Sequence, residues 1–162
     1  ADLRKANLTE ADFGAADMRS AVLSGADLTG ATFENANMVN ADLSGAKLEK
    51  TAFKNANLEY AKLGNAALTG ADMAKVNLSL ANLTKANLEG VNLRWAVLYR
   101  ANLEGATLSK ANLRNADLSR ANLAQSNMSD VDLTKTTMDE AKTKTAIFCR
   151  TKMPKGEDNS GC

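Results

Sequence analysis

Large apolar residues recur at every fifth position along most of this chain. From residue 3 to residue 138, the third position of each five-residue unit is Leu, Met or Phe, which gives 28 consecutive units. The first position is Ala in 22 of the 28 units and is otherwise Ser, Thr or Val. This period matches neither the alternation of a strand nor the 3.6-residue period of a helix. It predicts a chain that turns one corner per unit and coils into an all-β solenoid, in which each coil touches only its neighbours.

A second period of 20 residues indicates four units per coil. Phe13, Phe33, Phe53 and Met73 follow one another at this spacing. Residues 1–140 are therefore predicted to form about seven four-sided coils, with the large third-position and small first-position residues pointing inward. A residue larger than Ala would overpack such a narrow interior, so we expect local relaxation at Val76, Val91 and Val131.

The second and fifth positions of the unit predict turns. The second position is Asp or Asn in 19 of the 28 units, and short Asx side chains hydrogen-bond nearby backbone amides. A metal or acid–base site would need one dense cluster rather than this dispersed ladder, so we interpret these residues as turn-forming. The fifth position is Gly or Asn in eleven units, and both accept the positive φ that a type II turn requires.

Composition and charge exclude several function classes. The 162 residues include no His, and 20 Lys and Arg against 19 Asp and Glu leave a formal charge of +1. The near balance argues against a nucleic-acid partner, and the lack of His excludes Ser–His, Cys–His and His-metal chemistry. No apolar run approaches the roughly 20 residues that span a bilayer. We expect no catalytic residue, no cofactor, no metal and no membrane span.

The last 22 residues are a distinct segment with a net charge of +3. Thr137 and Glu140 have the spacing of a capping box, which predicts a short helix over residues 138–146. Ile147 and Phe148 would then plug the last coil. We accordingly divide the chain into a β-helix over residues 1–140 and a C-terminal cap over residues 141–162.

Both cysteines, Cys149 and Cys162, lie in this segment. A CxxC motif is absent, and two thiols alone cannot make a structural zinc site. We favour one disulfide that closes a 14-residue loop, with two free thiols as the alternative. A structural disulfide would place the protein in an oxidising compartment. At the other end, Ala1 is already in register, so we expect a processed or trimmed form.

A few apolar and aromatic residues interrupt the polar outer positions. The candidate interaction patch consists of Val39, Tyr60, Leu80, Trp95, Val97, Tyr99 and Arg100, and Arg94, Arg100 and Arg120 form its rim. Exposed Trp, Tyr and Arg are the residue types that anchor protein interfaces. The alternatives are a small-ligand site and scattered surface residues without a common role.

The A(D/N)LXX units resemble the pentapeptide-repeat protein family over residues 1–140. This resemblance implies a right-handed quadrilateral β-helix. The segments 148–156 and 159–162 also resemble the tails of chloroplast thylakoid-lumen members, except that Lys155 stands where an acidic residue is usual. A thylakoid-lumen location follows from that resemblance, with the bacterial periplasm as the alternative.

Three function classes compete for this chain. A non-catalytic structural or protein-interaction module with an unknown protein partner, itself a monomer or weak dimer, is favoured because no catalytic constellation exists. A DNA-mimicking, topoisomerase-interacting protein is the alternative that the resemblance supplies, but it requires a strongly acidic rod and the charge here is balanced. An enzyme is the least favoured class.

Overall fold

The chain winds into a four-sided tower whose coils are 20 residues long. A computed structural model of the protein describes residues 2–153, 156–158 and 161–162. Second-position residues pair in parallel with the residue 20 positions further on, as Asp2 pairs with Val22 and Val22 with Asp42. Backbone amides and carbonyls next to each pair also form hydrogen bonds with the adjacent coil. For example, Leu23 N donates to Asp42 O at 2.7 Å. Each coil is thus one layer of a parallel ladder that runs along the tower.

The interior contains the third-position and first-position residues. From Leu23 to Leu133 every third-position side chain is completely buried, and the first-position alanines between them are buried as well. The hydroxyl groups that replace Ala in the corners bond to backbone carbonyls, as Thr51 Oγ1 does to Leu28 O at 3.0 Å. In the first described coil the four central side chains are only partly buried: Leu3, Leu8, Phe13 and Met18.

Nearly every corner is a four-residue turn with a positive φ at the fifth position of the unit. In the first such turn Ala6 N donates to Leu3 O at 3.2 Å, and Lys5 between them has a φ of 56°. The eleven predicted Gly and Asn positions all have positive φ, but so do charged and aromatic residues such as Trp95 and Arg100. A positive φ is most unfavourable for β-branched residues. Consistent with this, no Val, Ile or Thr occupies the fifth position of any unit in residues 1–140.

The predicted C-terminal helix is wrong: within the described residues, 138–146 continue the β-helix. Lys142 pairs with Asn122 and Ile147 with Asn127, so the parallel ladder continues past Glu140. Ala141 and Ala146 keep the small first position, and Phe148 is buried at a third position. A helix of nine residues is marginal in isolation, whereas the open edge of the preceding coil offers a complete row of backbone partners.

A small hairpin and a disulfide complete the C-terminal end. Strand β1 (Thr151–Met153) pairs antiparallel with strand β2 (Gly156–Asp158), and Lys152 also pairs in parallel with Asp132. Cys149 and Cys162 form a disulfide with a Cα–Cα distance of 4.8 Å. Gly161 N donates to Phe148 O, which fastens the last residues to the final coil.

Candidate interaction face

The exposed aromatic residues lie on one side of the coils. Parallel pairing stacks Asn57, Asn77, Val97 and Asp117 along this side. Trp95 occupies the corner before Val97, and Tyr99 occupies the corner after it. We call this side and its two bordering corners the aromatic face, which comprises residues 54–60, 74–80, 94–100 and 114–120. All of the Trp and Tyr residues of the chain, Trp95, Tyr60 and Tyr99, lie on it.

The apolar side chains of the aromatic face are well exposed to solvent. The exposed fraction is 50% for Tyr60, 45% for Trp95, 39% for Val97 and 37% for Leu80. Their backbones are held firmly, since Leu80 N donates to Tyr99 O at 2.9 Å and Val97 N donates to Val76 O at 2.9 Å. The face therefore presents large side chains on a rigid frame, which reduces the conformational entropy lost on binding.

Two cations lie against the ring of Trp95. The Arg94 guanidinium carbon is 4.4 Å from the ring centroid, and Lys75 Nζ in the preceding coil is 5.9 Å from it. Arg94 Nε is buried without a hydrogen-bond partner among the described residues. Distances below 6 Å are those of a cation–π interaction, so the ring orders both positive charges.

The corner at Tyr99 also contains two arginines. The Arg100 guanidinium carbon lies 5.4 Å from the Tyr99 ring centroid, and Arg120 donates to the Tyr99 hydroxyl at 3.2 Å. Arg120 also forms an ion pair with Glu140, 3.0 Å between Nε and Oε2. Hydrogen bonds to Glu140 and then to Tyr99 raise the pKa of the Arg120 guanidinium above its usual value, so its charge is fixed.

Six of the seven residues of the candidate patch predicted from the sequence lie on the aromatic face, and the seventh, Val39, lies outside it. Tyr60, Leu80, Trp95, Val97, Tyr99 and Arg100 lie within residues 54–100 of the face. Val39 is only partly exposed, and it is separated from Tyr99 along its corner by Glu59 and Ser79. The sequence interpretation missed Lys75, although Lys75 stands 20 residues before Trp95, the spacing that places side chains in adjacent coils.

The ladder of the tower is interrupted once on a neighbouring side. Every second-position residue from Asp2 to Asp132 pairs with the residue 20 positions later, except Asn112. Leu113 N and Asp132 N do not make the cross-coil hydrogen bonds that the corresponding amides of the other coils make. Asn115 N donates to Lys135 O rather than to Thr134 O, which would be the regular acceptor. An open pocket of about 420 Å³ occupies this place, lined by Ala111, Asn112, Arg114, Asp130, Asp132, Thr134 and Lys135.

The interruption lies next to Val131, one of the three positions at which we expected relaxation. Val131 is buried between Ala111 and Thr151, and Lys135 at the following corner is without the positive φ of most corners. The ladder is intact at Val76 and Val91, where the turn bond is only slightly long at 3.2 Å. The expectation of relaxation therefore holds clearly at one of the three valines.

The second-position carboxylates and amides hydrogen-bond to nearby backbone amides and to one another across adjacent coils. Ser44 N donates to Asp42 Oδ1 at 3.0 Å, and Asn77 Nδ2 donates to Asn57 Oδ1 at 3.1 Å in the adjacent coil. In the part of the chain that the structure describes, no group of three or more Cys, Asp or Glu side chains is placed to hold a metal ion. The same part contains no helix long and apolar enough to cross a membrane.

These features define a class: a four-sided parallel β-helix built from five-residue units, with a rigid polar surface and one aromatic side. The family model of pentapeptide repeats matches the chain over residues 1–35, 36–74, 61–98, 77–115, 96–134 and 111–142. The chain therefore belongs to the pentapeptide-repeat family. Members of this family fold as right-handed quadrilateral β-helices, and they are generally structural or interaction proteins rather than enzymes.

Solved structures of the same fold are similar to the chain. HetL, a pentapeptide repeat protein involved in heterocyst differentiation regulation in Nostoc PCC 7120, is 28% identical, with 96% of this chain and 90% of HetL covered and a TM-score of 0.59. A second Nostoc pentapeptide repeat protein is 32% identical over 56% of this chain and 83% of its own, with a TM-score of 0.51.

A third solved structure shares the fold alone. QnrB1, a plasmid-mediated fluoroquinolone resistance protein, is 18% identical over 87% of this chain and 81% of its own, with a TM-score of 0.51. No curated protein matches the sequence.

Proposed function

We propose that this protein is a non-catalytic interaction module that binds a partner protein through the aromatic face. The observation that carries the proposal is the row formed by exposed Trp95 and Val97 and partly exposed Tyr99 on a single side of one coil. The chain has only seven aromatic residues. The four Phe all occupy third positions, which point into the tower, and the other three aromatic residues all lie on this face. Clustered exposed Trp and Tyr beside Arg are characteristic of interface anchors.

A crosslinking experiment tests this proposal. A photoreactive amino acid replaces Val97 at the centre of the aromatic face, or Asn87 on the opposite side of the tower as the matched control. In native extract the Val97 probe should capture a defined protein that the Asn87 probe does not, and Trp95→Ala combined with Tyr99→Ala in the Val97 probe should abolish capture. Identical products from both probes would contradict the proposal.

We further propose that the protein works in an oxidising compartment, with the thylakoid lumen preferred to the bacterial periplasm. The Cys149–Cys162 disulfide supports an oxidising environment, because such bonds are rare where thiols are kept reduced. The preference for the lumen depends on the resemblance of segments 148–156 and 159–162. Rapid alkylation of native material should leave both cysteines unmodified; alkylated Cys149 and Cys162 would refute the compartment.

A DNA mimic is not proposed for this chain. Such a protein needs a continuous acidic surface, whereas the aromatic face carries Arg94, Arg100 and Arg120. We propose a monomer or a weak dimer in solution, which sedimentation at several concentrations tests.

A further inference from the structure

The aromatic face is the positively charged part of a nearly neutral molecule. Residues 54–60, 74–80, 94–100 and 114–120 include six Lys and Arg and only two acids, Glu59 and Asp117. The face therefore has a net charge of +4 in a chain whose total is +1, so the rest of the chain is net negative. A charge separation of this kind steers an oppositely charged partner to one side.

Within the described part of the chain, three of the four arginines of this face make no ion pair, and the fourth, Arg120, pairs with Glu140. Arg4, Arg19 and Arg150 each pair with an aspartate on the tower. Among the described residues, the arginines that make no ion pair are Arg94, Arg100 and Arg114, and all three lie on the two corners that border the aromatic face. Unpaired guanidinium groups ordered by aromatic rings are suited to bind carboxylates through paired hydrogen bonds.

The apolar residues between these arginines indicate a protein rather than a nucleic acid. Leu80 and Val97 are aliphatic and exposed, so they match an apolar side chain of a partner and offer no surface for stacking bases. The rings of Trp95 and Tyr99 are each already covered on one side by a guanidinium. A single-stranded nucleic acid would need such rings as stacking platforms.

We infer that the aromatic face binds an acidic segment of its partner protein, with carboxylates on Arg94 and Arg100 and an apolar side chain against Leu80 and Val97. This inference rests on the proposed function, because it names the chemistry of the partner for the same face. The arrangement places two cations at the two corners that bound one side of a coil, with the apolar contact between them.

Trp95 provides a local reporter for the test, because it is the only Trp in the chain. The probes are a 12-residue peptide rich in Asp and Glu with one central Leu, the same peptide with Asn and Gln in place of the acids, and a 12-nucleotide single-stranded DNA. We expect the acidic peptide to change the fluorescence of Trp95 on binding. The amide peptide should bind at least roughly tenfold more weakly, since it loses the charge-assisted hydrogen bonds.

A matched pair of variants separates specific contact from bulk charge. Arg94→Gln combined with Arg100→Gln should weaken binding of the acidic peptide by roughly tenfold. Arg4→Gln combined with Arg150→Gln removes the same charge from the two corners on the opposite side of the tower and should leave the affinity unchanged. Equal losses in the two variants, no binding of the acidic peptide, or tighter binding of the DNA would each overturn the inference. If the Val97 crosslink still captured a protein in that case, the proposed function would stand without an acidic partner.

Discussion

The ring of Phe33 stacks on the ring of Phe53 in the next coil, with centroids 5.1 Å apart and planes inclined by 7°. Phe13 continues the same column below, 4.9 Å from Phe33. Phe33 is therefore in contact with an aromatic ring on both sides, while Phe13 has a ring on one side only and lies in the partly buried first coil. Offset stacking of this kind adds to the hydrophobic stabilisation of each buried ring.

Replacing Phe33 should destabilise the protein more than the same change at Phe13. We expect Phe33→Ala to lower the free energy of unfolding by about 3–5 kcal/mol, because the fixed coils above and below prevent collapse of the cavity. Phe33→Leu should cost less than about 1.5 kcal/mol, since Leu already occupies most third positions. Urea unfolding measures both values. An equal loss for Phe13→Ala would show that the stack contributes nothing specific.

The sequence predicts the interior of the tower well because the third position of each unit determines which side chains are buried there. Each third-position residue must point inward once the chain turns every five residues, so the stacking of Phe33 on Phe53 follows from their 20-residue spacing. The sequence fails at the C-terminal end, where the capping box from Thr137 to Glu140 is a local signal. There the long-range ladder to Asn122 and Asn127 outweighs the local preference.

The aromatic face was only partly predictable for a related reason. Periodicity placed Tyr60, Leu80 and Arg100 in one column, but it does not give the direction of long side chains such as Arg94 and Arg120. Nor does it mark the interruption of the ladder at Asn112. Such a departure from the average unit has no signature in the period itself.

The fifth-position glycines provide a test of the corner geometry. Gly45 has a φ of 63° and no atom within 4 Å of an added Cβ, whereas Gly64 at the same corner is not in the positive-φ region. Gly45→Ala should therefore cost about 1 kcal/mol from backbone strain alone, and Gly45→Val should cost more. Gly64→Ala should be neutral or slightly stabilising, because its Cβ would lie 3.7 Å from the nearest atom. Thermal unfolding that ranks the two Ala variants equally would refute this account.

The disulfide should stabilise the C-terminal end of the tower. Cys149 and Cys162 are 13 residues apart, and a loop of this size corresponds to about 3 kcal/mol in the loop-entropy model. We expect reductant to lower the urea midpoint of the wild-type protein. The double variant Cys149→Ala with Cys162→Ala should unfold like the reduced protein and should not respond to reductant. Two titratable thiols in the untreated protein would show that the bond is absent.

Hydrogen exchange should locate the interruption of the ladder. Leu113 N and Asp132 N lack the cross-coil bonds that Leu93 N and Asn112 N make at 2.8 and 2.9 Å. We expect the first two amides to exchange roughly fivefold faster than the second two, because one intramolecular hydrogen bond contributes about 1 kcal/mol net. Amide exchange followed by NMR measures all four in one sample. Equal protection would mean that the ladder closes at Asn112.

The ion pair of Asp17 with Arg19 makes a prediction about acid pH. Hydrogen bonds from the Arg19 side chain, and then from its backbone N–H, lower the pKa of Asp17 from 3.8 to about 2. Because the folded pKa lies below the unfolded value, the pair stabilises the protein above about pH 4, and this contribution is lost as the pH falls through about 2. An NMR titration of the Asp17 carboxyl carbon should give a midpoint near 2, and Arg19→Gln should raise it towards 3.8. Arg4→Gln, which removes the equivalent partner of Asp2, should leave the Asp17 midpoint unchanged, so a shift in that variant would point to general charge rather than to the pair.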